Sequence, residues 1–478
     1  MDTFRVSEYL KAGRSIKAPF FLPLRNHDDV LQCEQVLRIV PGKRAVLLCK
    51  WGGHQVVAKL FFRPFQIRRH MKRELAGIEA LTKAGITTAR ILHTGYVMDE
   101  SAGVLIFEYV QPAVPIENLW GPEYSYENRV ELLRQVVVVL ARLHDKGLVQ
   151  SDLHFKNFLL KDKTVYCIDG SAIDKVSING PVKVSASLKN LALFLCPLST
   201  REPDLIKDLF VAYTNVRGWR GADAAFVRLG RHIELRQKQR IKAKARKIFR
   251  NTSEVICKKS FRRFMVCKRS EYSAMSAFLD NPDEMLDGVD ALLLKRGNTS
   301  TVARIKTDHL DVVVKRYNIK SFLHGLRKSF LESRASKSWK NALLLSISGI
   351  VTPKPIAFLE YRFGPFRGKA YFICEYVEGP RADNFFRDGN LNDKHAVARQ
   401  ITGIFKRLAM SNISHGDMKG SNIIINGQHP VLLDLDAMCI HSSSRLFASA
   451  HREDIRRFLN NWLDSPEISN LFVKLHKG

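Results

Sequence analysis

Acidic residues are scarce: 47 Asp and Glu stand against 76 Lys and Arg, a formal charge of +29. A balance of that size points to an anionic partner, whether nucleic acid, phospholipid head groups or an anionic substrate, and leaves the fold open. Cysteine is thin and dispersed. The eight residues Cys33, Cys49, Cys167, Cys196, Cys257, Cys267, Cys374 and Cys439 contain no C-x-x-C pair, which suits reduced cytosolic thiols better than a disulfide framework or a zinc site. Long apolar runs are missing, since stretches such as Val136 to Ala141 fall far short of the roughly 18 residues that span a bilayer. Met1 to Pro19 lacks the continuous apolar core of a signal peptide, so a cytoplasmic protein is expected, with a peripheral membrane position open. A G-x-G-x-x-G loop is missing too. Only Gly42 stands where one would fall, so backbone cradling of phosphates has no sequence signal.

What is present begins with length. At 478 residues the chain exceeds one ordinary core, and two domains of roughly 200 to 250 residues each are expected. The stretch Ser414-His415-Gly416-Asp417-Met418-Lys419-Gly420-Ser421-Asn422, followed by Val431-Leu432-Leu433-Asp434-Leu435-Asp436, has the spacing of a kinase catalytic loop and metal-binding strand. Such a loop supplies an Asp for the acceptor hydroxyl's proton and an Asn and a later Asp for magnesium. Here Asp417 takes the first role, Asn422 and Asp434 the others, with Lys419 beside them.

The pattern occurs twice. Gln150-Ser151-Asp152-Leu153-His154-Phe155-Lys156-Asn157 precedes Val165-Tyr166-Cys167-Ile168-Asp169, and Asp152 to Asp169 spans the same 17 residues as Asp417 to Asp434. Upstream, strand-like runs over 35–61 end with Lys59, a basic helix over 62–84 carries Glu74, and a buried strand over 104–110 leads to Glu108-Tyr109-Val110. An amphipathic helix over 129–146 and a helical run over 188–216 complete this half. In the second half a β-meander ends with Lys315, a basic helix over 321–346 stops at Gly349-Ile350 as the first stops at Gly85-Ile86, and Glu375-Tyr376-Val377 answers Glu108-Tyr109-Val110. Repetition over so long a unit means a duplicated domain. We expect an N-terminal extension (1–30), a first domain (31–230), a basic linker (231–270) and a second domain (271–478). The linker holds fifteen Lys or Arg against two Glu. It reads as a solvated helix or as a patch gripping phosphate or an anionic lipid surface; nucleic acid is a third reading, against which stands the lack of a stacking platform or nucleic-acid module.

The runs Val314-Lys315-Arg316-Tyr317, Ser333-Arg334-Ala335 to Trp339, Gly349-Ile350-Val351-Thr352-Pro353-Lys354-Pro355, His415-Gly416-Asp417-Met418-Lys419 and Leu433-Asp434-Leu435-Asp436 resemble the bacterial lipopolysaccharide kinase family, Kdo/WaaP type. The resemblance covers nearly all of the second repeat and, more loosely, residues 35 to 170. It implies an α+β fold of two tandem protein-kinase-like domains, each with a small β-rich lobe and a mainly helical lobe. It also implies transfer of the ATP γ-phosphate, with Mg2+, to a heptose or Kdo hydroxyl of the lipopolysaccharide inner core at the cytoplasmic membrane face. Asp417, Lys419 and Asp152 would be catalytic, Lys315, Lys59 and Glu74 would serve the nucleotide, and Asn422, Asp434, Asn157 and Asp169 the metal.

Both repeats depart from the pattern. Gln150 replaces the loop histidine and His154 stands where Lys419 stands in the second half; Ser338 matches Glu74; Asp436 replaces the glycine that usually follows the metal-binding Asp by two. Lys315 therefore lacks a helix partner or takes another residue, Glu332 being the candidate. The second repeat, with His415 and Lys419, is expected to be the more competent. A tandem pseudokinase or nucleotide-binding scaffold is the alternative. A Ser/Thr protein kinase is less expected, because no A-P-E triplet follows Asp434 and the residues up to Gly478 are too few for a peptide platform.

Overall fold

The computed structural model describes residues 16–63, 65–120, 124–202, 204–252, 254–288, 291–307, 310–317, 332–388 and 391–472. Residues 1–15 of the expected extension and 321–331 of the expected basic helix lie outside them. The chain mixes helix and sheet and divides into two compact units between Ile233 and Glu234.

The first unit begins with a six-stranded antiparallel sheet in the order Phe20–Pro23, Val30–Val40, Arg44–Trp51, His54–Phe61, Gly103–Glu108, Ile91–Tyr96. Alternation along the strands divides the side chains between two faces. Val56, Ala58 and Leu60 join Leu47 and Ile106 in one cluster, whereas Phe61, Leu105 and Phe107 pack with Met71, Ile78 and Leu81 of the helix Ile67–Lys83 in another. Lys59 falls on the helix side, paired in register with Leu105. That helix approaches the turn Gly170–Ala172 so closely that a Cβ on Gly77 would lie 1.8 Å from the Gly170 carbonyl oxygen. Helices Tyr126–Asp145, Val184–Arg201 and Leu205–Arg217 form the remaining core.

A buried polar chain crosses these helices. Arg217 donates to the Tyr213 hydroxyl, which bonds His144 Nδ1 at 2.6 Å; His144 Nε2 lies 3.0 Å from Asn190 Oδ1, and Asn190 Nδ2 donates to the Gln150 carbonyl at 2.8 Å. Burial holds the His144 imidazole down, from 6.5 to about 4, against the opposing effect of the Asn190 bond. The unfolded chain therefore takes up a proton that the folded unit refuses. The contribution is complete above about pH 6.5 and is lost as the pH falls toward 4, about 3 kcal/mol in all. Urea unfolding should show the first unit weakening as the pH falls from about 6.5 to about 4, and His144→Asn should flatten that dependence.

The second unit has a seven-stranded sheet in the order Val255–Lys259, Arg263–Lys268, Pro355–Phe363, Phe366–Glu375, Leu310–Tyr317, Ser300–Thr307, Ala291–Arg296. Its last five strands, read from the other edge, repeat the sequence order seen in the first unit. Val312, Val314, Tyr371 and Ile373 face Phe278 and Leu279. Tyr317, Phe358 and Phe372 face Trp339 and Ala342 of the helix Arg334–Ile347, in one core with the helices Leu391–Met410 and Ser444–Leu459. Residues 231–270, expected to be a basic linker, instead end the helix Asp223–Ala245 and supply two strands of this sheet. Met265, Val266 and Cys267 are buried there. The flanking cations hide short continuous apolar runs, Val255 to Cys257 and Phe264 to Cys267, of strands covered on both faces, so composition alone suggests a linker.

Candidate active sites

Each half assembles its own set of residues. In the first unit Glu74 is fully buried and accepts from Lys59 Nζ at 2.5 Å and from the backbone N–H groups of Gly170 and Ser171, both at 3.2 Å. Lys59 also donates to the Ile168 carbonyl at 3.2 Å. Asn157 Nδ2 donates to the Asp152 carbonyl at 2.7 Å, and the Asn157 carbonyl accepts from the Ile168 N–H at 3.0 Å. The loop and the strand before Asp169 are thereby tied together. Asp169 turns its carboxylate onto its own turn, accepting from Ser171 N at 3.2 Å and Oγ at 2.7 Å. His154 Nε2 lies 3.0 Å from the Asp152 carboxylate. Gln150 is buried, and neither side-chain polar atom has a partner among the described residues.

The second unit repeats the backbone scheme. Asn422 Nδ2 donates to the Asp417 carbonyl at 2.8 Å and its carboxylate at 3.1 Å, and the Asn422 carbonyl accepts from Leu433 N at 2.8 Å. Thr88 and Thr352 hydroxyls likewise bond the carbonyls of Cys167 and Leu432, at 2.7 and 2.8 Å. The charges are arranged differently. Lys315 pairs with Asp434 and, at 3.2 Å, with Asp436, while Arg334 Nη2 reaches the same Asp436 oxygen at 2.8 Å. Glu332 is not the lysine's partner: it bonds Ser336 at 2.9 Å and approaches Lys340 at 3.8 Å. Ser338, in the place of Glu74, is buried against the Tyr317 hydroxyl at 3.0 Å. A carboxylate two residues beyond Asp434 thus does what the helix carboxylate does in the first half. Asp434 adopts the left-handed conformation, φ 54°, which directs its carboxylate at Lys315. Burial pushes that carboxyl up, but the Lys315 ammonium, with His415 and Arg334, holds it below the usual range.

Sequence reasoning missed Asp454. Buried on the helix Ser444–Leu459, it accepts from the backbone N–H groups of His415 at 2.6 Å and Gly416 at 2.9 Å. His415 Nε2 meanwhile bonds the Leu433 carbonyl at 2.9 Å. The loop is therefore gripped from two sides, with Lys419 3.0 Å and Arg457 3.9 Å from the Asp417 carboxylate. Asp454→Ala should lower kcat about tenfold to a hundredfold with little change in KM for nucleotide, a split that steady-state kinetics would resolve.

A cavity of about 350 Å³ opens over Lys315, Lys419, Asn422 and Asp434, walled by Val302, Val313 and Phe372 and bounded by Glu375, Tyr376 and Val377. Apolar walls with a few convergent charged groups suit a nucleoside polyphosphate. Asn422 spends its amide N–H on Asp417, leaving its oxygen with the Asp434 carboxylate as hard donors of the kind magnesium takes. Among the described residues no group of three or more His, Cys, Asp and Glu side chains stands ready for a metal, so phosphate oxygens and water would complete any coordination.

Two halves carrying Lys, Asp, Asn and Asp in one hydrogen-bonding scheme invite comparison with known families. Residues 49–174 match the lipopolysaccharide kinase (Kdo/WaaP) family. The matched segment contains Lys59, Glu74, Asp152, Asn157 and Asp169, so the match takes in every candidate of the first unit. It lies in the half where the resemblance was expected to be looser. No curated protein matches the chain. The matched segment holds the Lys59–Glu74 pair, whose glutamate has its counterpart in Asp436 in the second unit.

Proposed function

We propose that this protein is an ATP-dependent phosphotransferase whose two tandem protein-kinase-like domains serve phosphorylation of a heptose or Kdo hydroxyl in the lipopolysaccharide inner core, at the cytoplasmic face of the membrane. The observation that carries the reading is the convergence of Lys315, Lys419, Asn422 and Asp434 on one cavity; the Kdo/WaaP match at residues 49–174 supports its class. Lys315 neutralises phosphate charge, steadied by Asp434 and Asp436. Asp417, tied to Asn422 and Lys419, orients the acceptor hydroxyl and takes its proton, while Lys419 stabilises the group in transfer. Magnesium, when bound at Asn422 and Asp434, would supply charge neutralisation between the phosphates. The result is catalysis by positioning and electrostatics.

The first unit has a second reading as a nucleotide-binding support, because its Asp169 carboxylate is engaged by Ser171 and its loop lysine is replaced by His154. Transfer of labelled γ-phosphate to purified lipopolysaccharide core by the full chain separates the cases. Loss with Asp417→Ala but not Asp152→Ala assigns transfer to the second unit, the reverse assigns it to the first, and partial loss with each indicates two working sites. Wild-type protein that binds nucleotide yet transfers nothing would overturn the acceptor assignment.

A further inference from the structure

In the second unit the strand pair Val255–Lys259 and Arg263–Lys268 and the strand pair Pro355–Phe363 and Phe366–Glu375 turn side by side. Arg362 N donates to the Arg262 carbonyl and Gly364 N to the Phe261 carbonyl, both at 2.9 Å, locking the two turns together. At their tips stand exposed aromatic rings. Phe261 is 59% and Phe363 64% exposed, and the rings meet edge to face with centroids 4.8 Å apart; Phe366 is also exposed. Gly364 has φ +60° and its Cβ would fall 2.9 Å from the Phe261 ring, so the turn is shaped to seat that ring. Phenylalanines at solvent-facing turn tips do nothing for the core, and a second rigid hairpin holding the first in place gives the pair a fixed aim.

The flanks are cationic. Lys258, Lys259 and Arg262 are exposed beside Phe261, and Lys258, Lys259 and Arg263 line a cavity of about 270 Å³ with the hydroxyl residues Tyr272 and Ser276. Its carboxylate, Asp280, lies 3.5 Å from Arg263; Glu360, on the neighbouring strand, is buried and bonded to Arg362 at 2.5 Å. The three exposed cations thus have no acidic partner among the described residues. Apolar tips ringed by unneutralised cations are complementary to the head-group layer of an anionic bilayer, where aromatic rings take the acyl boundary and Lys and Arg take the phosphates.

We propose that the paired turns at 259–263 and 362–367 form an interfacial anchor that inserts Phe261 and Phe363 into an anionic lipid surface, with the adjoining basic cavity receiving a lipid phosphate. Phe366 precedes by six residues Phe372, the register partner of Lys315, so the anchor lies about 20 Å along the strand from the level of the lysine. The inference stands on this surface and not on the transfer reaction. An acceptor embedded in the same bilayer would nonetheless be met at a fixed height.

Vesicle co-sedimentation of the full chain tests it, using phosphatidylcholine alone and equimolar phosphatidylcholine and phosphatidylglycerol. We expect binding to the anionic vesicles only, reduced at least about tenfold in partition by Phe261→Ser/Phe363→Ser and about fivefold per cation by Lys258→Gln or Lys259→Gln. Phe261→Trp should keep binding, and the emission it adds should shift to the blue on adding anionic vesicles. Circular dichroism melts confirm that the variants fold. Undiminished binding by the double serine variant, an unshifted emission from the Phe261→Trp variant, or equal binding to both vesicle types overturns the anchor. Release of wild-type protein by millimolar-range inorganic phosphate, with no effect of the Phe changes, would make the cavity a soluble-anion site instead.

Discussion

Asp417→Asn, made in a chain whose Asp152 is also changed to Asn, lowers kcat for phosphoryl transfer about a thousandfold while KM for ATP stays within about twofold. The reason is where Asp417 stands. Its carboxylate faces Asn422, Lys419 and Arg457, whereas the cavity wall is made by Lys315, Asn422, Asp434 and the apolar strand residues. Asparagine keeps the shape and the backbone bond from Asn422 Nδ2 but cannot take the acceptor proton. Lys419 and Arg457 then face a neutral amide, so the transferring group meets more positive charge without a base to use it. Quenched-flow transfer alongside equilibrium nucleotide binding makes the check. Retention of more than about a tenth of wild-type turnover would remove Asp417 from the role of base.

The second large effect is structural and belongs to the first unit. Gly77→Ala costs at least about 3 kcal/mol and lowers the melting temperature of that unit by about 6–12 °C. The added Cβ would sit 1.8 Å from the Gly170 oxygen and 2.5 Å from its carbonyl carbon, backbone against backbone, where no rotamer gives relief. The helix must withdraw, and it takes Glu74 away from Lys59, Gly170 and Ser171. Nucleotide affinity of the first unit should fall with stability. Gly230→Ala is the control. It is helical, exposed and clear of neighbours within 4 Å, so the same change should stabilise by about 1 kcal/mol. Opposite signs for two Gly→Ala changes on helices would separate close approach from propensity.

Much of this arrangement is legible in the sequence because covalent spacing carries it. Lys59 meets Glu74 and Asn157 meets the Asp152 carbonyl, and the helices ending at Gly85 and Gly349 stop with left-handed glycines, φ 69° and 68°. The carboxylate for Lys315 was not legible. Asp436 reads in sequence as a lost glycine, and only the local turn of Asp434 brings it to a lysine 121 residues earlier. Asp454 escaped for another reason. It sits next to Glu453 in a helix of mixed charge, and nothing in the pattern says that one is buried on the loop amides and its neighbour pairs with Arg456 and Arg457 in solvent. The strands at 255–268 were obscured by lysines and arginines on their exposed positions.

The two lysines differ in what can disconnect them. Lys59 depends on a helix: any swing or melting of Ile67–Lys83 carries Glu74 off and leaves the ammonium alone with a carbonyl and a phenylalanine ring. Lys315 is held by Asp434 and Asp436, both on one short segment, and displacement of Arg334–Ile347 would take Arg334 from Asp436 and Asn341 from the Leu435 carbonyl while leaving both carboxylates on that segment. Of the two lysines, one loses its carboxylate when a helix moves, and the other has both of its carboxylates on a single turn.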